Sequence, residues 1–168
     1  DYNTPVTLTA TPDTGSTFAG WSGACTGTGA CSVTMSAPRT VGATFAVQQY
    51  TLTVTPPTGG TISGTGILCG TGGGDCTETF ASGTVVPLIA TPDAGYTFTG
   101  WTGACSGTST CDLTMNGPRT VGASFAVQQF TLTVTPPTGG TITGTGILCG
   151  TGGSDCSQAY DIGTSVPL

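Results

Sequence analysis

The chain has 168 residues, of which 29 are glycine and 8 are cysteine, and only 6% are charged. It has no histidine, its only basic residues are Arg39 and Arg119, and its formal net charge is -6 at pH 7. These counts exclude imidazole metal sites, histidine-dependent triads and lysine Schiff bases. The acidic balance disfavours nucleic acid as a partner. No apolar run is long enough to span a bilayer, so no membrane insertion is expected in this segment.

Residues 1–48 end in a strand closing on Phe45, and the Ala46-Val47-Gln48-Gln49 stretch that follows reads as a linker. Residues 50–55 alternate, with Leu52 and Val54 on one face and Thr51, Thr53 and Thr55 on the other, the pattern of a half-buried strand. Pro56-Pro57-Thr58-Gly59-Gly60 is a turn. Residues 61–69 read as one glycine-interrupted strand, 70–75 as a loop and 77–80 as a short strand. Residues 84–90 form a strand that Pro87 places at an edge or bulge. Thr91-Pro92-Asp93-Ala94-Gly95 fits a type I turn closed by glycine. Strands follow at 96–101, around Cys111, Leu113 and Met115, and around Val121, Ala123 and Phe125. Ala126-Val127-Gln128-Gln129 then repeats the linker. Apart from such turns, nothing has a helical period, and the abundant threonine and valine suit pleated sheet.

Self-similarity at an offset of 80 residues organises these elements. Residues 1–80 and 81–160 are identical at 55 of 80 positions. The linker phase makes 49–127 one complete repeat domain, 1–48 the C-terminal half of a repeat and 128–168 the N-terminal half of a further one. The fold class expected is all-β: tandem small antiparallel domains, each a β-sandwich or a β-grasp-like sheet, stapled by disulfides. A core of 80 residues is marginal and needs such staples. Proximity and repeat symmetry pair Cys25 with Cys31, Cys69 with Cys76, Cys105 with Cys111 and Cys149 with Cys156. Each small ring contributes about 2–3 kcal/mol through loop entropy. Paired cysteines indicate an oxidising compartment. With no lysine, Lys–Asn isopeptide cross-links cannot form, which leaves disulfides as the covalent reinforcement.

The run Ala90-Thr91-Pro92-Asp93-Ala94-Gly95-Tyr96-Thr97-Phe98-Thr99-Gly100-Trp101-Thr102-Gly103-Ala104-Cys105 continues to Cys111 and Thr114-Met115. It closes with Arg119-Thr120-Val121-Gly122-Ala123-Ser124-Phe125. This pattern, present again over residues 10–45, resembles the divergent internalin-type B repeat of bacterial surface proteins. The resemblance implies a small β domain in tandem arrays on secreted or surface-anchored bacterial proteins, without catalytic residues. The second cysteine pair, Cys69 and Cys76, and the near-identity of the copies depart from the family pattern and favour a specialised polymer.

Few residues invite chemistry. Trp21 and Trp101 are candidate sugar-stacking platforms, weighed against a core role beside the neighbouring disulfide. Thr55, Thr58 and Thr61, around Pro56-Pro57, are candidate O-glycosylation sites. Asp13, Asp75, Asp93 and Asp155 read as turn residues rather than calcium ligands. Gly64-Thr65-Gly66 has neither the lysine nor the following helix of a phosphate loop. No catalytic residue, metal site or cofactor is expected, and the chain is not read as an enzyme. The expected function is structural: tandem β domains forming an extracellular bacterial filament, fibre or surface stalk, with copies of itself as partners, either as a homopolymer or as neighbouring repeats of one long chain. The alternative is an adhesin repeat that binds a surface glycan or protein.

Overall fold

The structure, a computed structural model, describes residues 3–167. Among these the regular elements are all strands. Residues 3–48 form two hairpin-like pairs. β1 (Thr4–Leu8) and β2 (Ser16–Gly23) are followed by β3 (Cys31–Met35) and β4 (Val41–Val47); β1 pairs with β3 and β2 with β4, both antiparallel.

The next stretch is a complete repeat. Its front half consists of β5 (Gln49–Val54), β6 (Gly60–Gly64), β7 (Ile67–Gly70), β8 (Gly73–Asp75) and β9 (Thr77–Ala81). Its back half consists of β10 (Val85–Pro92), β11 (Tyr96–Gly103), β12 (Cys111–Thr114) and β13 (Arg119–Val127), the counterparts of β1 to β4. A five-stranded sheet has the order β12-β10-β6-β7-β8 and a four-stranded sheet the order β11-β13-β5-β9. Every pair is antiparallel except β13 with β5. Front and back halves therefore meet twice, through β5 on β13 in one sheet and β6 on β10 in the other.

Side chains from both sheets close one core. Leu52, Val54, Phe80, Trp101 and Val121 from the four-stranded sheet cluster with Ile62, Ile67, Cys69, Val86, Leu88, Cys111 and Leu113 from the five-stranded sheet, with Met115 beside them. This is a two-layer sandwich, in which period-2 alternation sends every second residue inward. β10 changes partner along its length. Residues 85–88 face β12 and residues 89–92 face β6, so Pro87 lies where pairing is on one side only.

The third stretch repeats a front half. It comprises β14 (Gln129–Thr133), β15 (Thr141–Gly144), β16 (Ile147–Gly150), β17 (Gly153–Asp155) and β18 (Ser157–Asp161), with β14 on β18 and a β15-β16-β17 sheet.

Three local expectations change. The single strand expected over 61–69 is a β6–β7 hairpin, because Thr65-Gly66 supplies a two-residue turn with Gly66 at φ +69°. The expected loop over 70–75 contains β8, which folds back on β7. The turn at Asp93 is not type I. Tyr96 N donates to Asp93 O (3.0 Å) with Gly95 at φ +83°, a left-handed third position that type I does not have.

Candidate functional site

The linker expected at 46–49 shrinks to one residue. Ala46 and Val47 lie in β4 and Gln49 in β5, so only Gln48 separates the strands of successive repeats. Gln48 is bonded on both sides: its N–H donates to Gly15 O (2.8 Å), and its carbonyl accepts from Ser82 N (2.8 Å). Gly15 belongs to the first stretch and Ser82 to the complete repeat. Eighty residues on, Gln128 N donates to Gly95 O (2.8 Å), and Gln128 O accepts from Ile162 N (2.8 Å). The joint between repeats is thus built twice, with the same bonds.

Sterics explain the glycine at each joint. A Cβ on Gly15 would lie 2.6 Å from Ser82 Oγ, and one on Gly95 would lie 2.9 Å from Ile162 Cγ2, both at left-handed φ. Successive repeats approach one another over these glycines, with no chain left over to act as a hinge. Tyr50 adds a side-chain bond at the first joint, its hydroxyl donating to Gln48 Oε1 (2.9 Å). The second joint has Phe130 at that position and cannot make this bond.

The eight cysteines form four bridges: Cys25–Cys31, Cys69–Cys76, Cys105–Cys111 and Cys149–Cys156. Each back-half bridge closes a loop that the tryptophan holds. Trp101 N donates to Gly107 O (2.8 Å) and its indole Nε1 to Ser109 O (2.9 Å). Trp21 makes the same bonds to Gly27 O and Gly29 O. Trp101 is 6% exposed and packs edge-on against Phe98 at 5.4 Å between ring centroids. Its ring lies in the core and its only donor is used, so it offers no open face to a sugar. Trp21 is half-buried. Leu88, Ala90, Phe98 and Trp101 line a shallow cleft beside the loop, and Leu8, Ala10, Phe18 and Trp21 line its counterpart.

Of the three candidate threonines, Thr55 and Thr58 are exposed. Thr61 is half-buried; its Oγ1 accepts from Gly72 N (2.8 Å) and shares a hydrogen bond with Thr71 Oγ1 (3.2 Å). Thr71 in turn donates to Asp93 Oδ1 (2.7 Å), which ties the β7–β8 loop to the turn after β10. Asp13, Asp75 and Asp155 are exposed. Among the described residues no group of three or more acidic or cysteine side chains is placed to hold a metal ion. Arg39 Nη2 donates to Ser36 Oγ (3.3 Å), and Arg119 donates to Asn116 Oδ1.

The joint was the feature hardest to see in the sequence. Its signals were a glycine at 15 and 95 and a glutamine at 48 and 128, each recurring at the repeat spacing.

The family described as the divergent InlB B-repeat domain matches residues 1–49 and again 50–129. The chain belongs to this family. The two matched stretches of B-repeat meet next to Gln48, the residue at the first joint. No curated protein and no solved structure was found to match the chain.

Proposed function

We propose that this tandem B-repeat protein is an extracellular structural element, a stretch of filament, fibre or stalk on a bacterial surface. The observation that carries the reading is the joint made twice with the same bonds around Gln48 and Gln128. A module repeated with one-residue connections and fixed hydrogen bonds transmits orientation from unit to unit, as a spacer or fibre requires. Four disulfides in 168 residues support an oxidising, extracellular setting. Threonine-rich outer faces and the absence of lysine suit a surface with few trypsin-sensitive bonds. The test is electron microscopy of polypeptides with increasing numbers of the 80-residue unit. Contour length growing by a constant increment per unit supports the reading. Length growing with the square root of unit number, as for a flexible chain, refutes it.

A second reading, an adhesin repeat for a surface glycan or protein, draws on the cleft that recurs beside Trp21 and Trp101. Near-identical copies would then add avidity. Specific glycan-array binding that Phe98→Ala abolishes would favour it over the structural role.

A further inference from the structure

The complete repeat displays how a front half and a back half fit. β5 runs parallel to β13, with Leu52 opposite Arg119, Thr53 opposite Thr120 and Val54 opposite Val121. β6 runs antiparallel to β10, with Ser63 opposite Ile89, Ala90 opposite Ile62, Thr91 opposite Thr61 and Pro92 opposite Gly60. Further backbone bonds cross the seam: Thr55 N to Val121 O (2.8 Å) and Asp93 N to Gly59 O (3.0 Å). Leu52, Val54, Ile62, Val86, Leu88 and Val121 are all buried along it.

Both halves of this seam occur a second time in the chain without the other against them. The back half at 3–48 exposes the residues that the seam buries. Val6 is 40% exposed where Val86 is 1%, and Leu8 is 37% exposed where Leu88 is 4%. Residues 9–12 lie in no strand, although their counterparts 89–92 pair with β6. The front half at 129–167 leaves Phe130 exposed, and a cavity of about 420 Å³ lined by Phe130, Leu132, Tyr160 and Val166 opens beside it. The two surfaces match by sequence. Residues 131–153 repeat residues 51–73 at every position except Thr143, which replaces Ser63. Val6, Leu8 and Val41 repeat Val86, Leu88 and Val121.

We propose that a second copy of this chain is the partner of these surfaces: the front half-repeat from Gln129 onward in one copy seats on residues 3–48 of the next and completes a B-repeat between chains. This names the partner within the structural reading above and rests on it. The register follows from the central repeat. Leu132, Thr133 and Val134 of one copy lie opposite Arg39, Thr40 and Val41 of the next. Thr141, Ile142 and Thr143 lie opposite Thr11, Ala10 and Thr9. The contact adds strands to open sheet edges and is heterologous, so it propagates instead of closing as a dimer. Residues 164–167 and 4–7 hold equivalent repeat positions, and one set must yield. β1 is already paired with β3, whereas 164–167 lie in no strand, so the latter give way.

Sedimentation velocity of the oxidised chain over a concentration series tests this. The expected result is a ladder of dimer, trimer and longer species that grows with concentration. Leu8→Asp spoils the seat and Leu132→Asp the plug, so each variant alone is expected to lose every species beyond the monomer. Mixed together, the intact plug of L8D fits the intact seat of L132D, and the mixture stops at the dimer. Ala10→Pro, at a residue that lies in no strand here, is a second seat variant that leaves the folded chain intact, as unchanged Trp101 emission would show. A chain that stays monomeric throughout overturns the inference while leaving the Gln48 joint, read separately, untouched. Growth that survives L8D and A10P overturns it as well, because copies would then be meeting through another surface. A monomer obtained only when a further front half-repeat is fused ahead of Asp1 supports it, since that half fills the same seat within one chain.

Discussion

Val86 and Val6 occupy the same position in successive repeats, and one is buried while the other is half open. Val86→Ala removes two methyl groups from a site that is 1% exposed. Transfer at about 0.8 kcal/mol per methyl gives ~1.6 kcal/mol, and the cavity left behind brings the loss to about 2–3 kcal/mol. Val6 is 40% exposed, so the same truncation removes less burial and leaves little cavity. Its cost is about 1 kcal/mol or less, confined to residues 3–48. Urea unfolding reads the difference if Trp101 is the only fluorophore of its kind, which Trp21→Phe arranges. With an m-value of about 1–1.5 kcal/mol/M for a domain of this size, V86A moves the Trp101 midpoint down by about 2 M. V6A, measured at a concentration where the chain is monomeric, leaves that midpoint within about 0.5 M of its background. Equal shifts would refute the division of the chain into a sealed central repeat and an open half-repeat.

Three further outcomes follow from the same geometry. Replacing Cys105 and Cys111 together by alanine releases the ring around the loop that Trp101 grips and lowers stability by about 2–3 kcal/mol, with a red shift of Trp101 emission in the same melt. Gly95→Ala forces a left-handed Cβ toward Ile162 and costs about 1–2 kcal/mol from backbone strain plus the clash. Ile162→Ala removes the clash but not the strain, so a double-mutant cycle by thermal melting returns a favourable coupling; additive costs would contradict the packing at the joint. Trypsin cuts after Arg39 well before Arg119, because Arg39 is exposed ahead of β4 whereas Arg119 is half-buried inside β13; timed mass spectrometry shows the order.

Much of this architecture is legible in the residues. Alternation at Leu52 and Val54, or at Cys111 and Leu113, names both the strand and the face that turns inward. The two local cysteine spacings, reproduced at the 80-residue offset, indicate the bridges, and the run from Ala90 to Phe125 indicates the family. What the sequence hides depends on partners distant in the chain. Nothing local shows that β5 and β13 pair in parallel, since that contact joins residues about 70 positions apart. The hairpin at Thr65-Gly66 was masked because glycine in a strand and glycine in a turn look alike until φ is known. Ala46-Val47-Gln48-Gln49 looked like a linker because it is short and uncharged. Its backbone bonds instead to Gly15 and Ser82, residues that flank it by more than 30 positions on either side. The open cleft expected for Trp101 closes because its indole N–H reaches back to Ser109 across the loop it borders.

The central claim is that successive B-repeats are held in one fixed relation by the Gln48 joint. Residual dipolar couplings of backbone amides in weakly aligned chain test it most directly, fitted separately for residues 16–47 and 49–127. A single alignment tensor for both stretches is the predicted result. Two tensors of different magnitude or orientation would show repeats that reorient independently and would contradict the account.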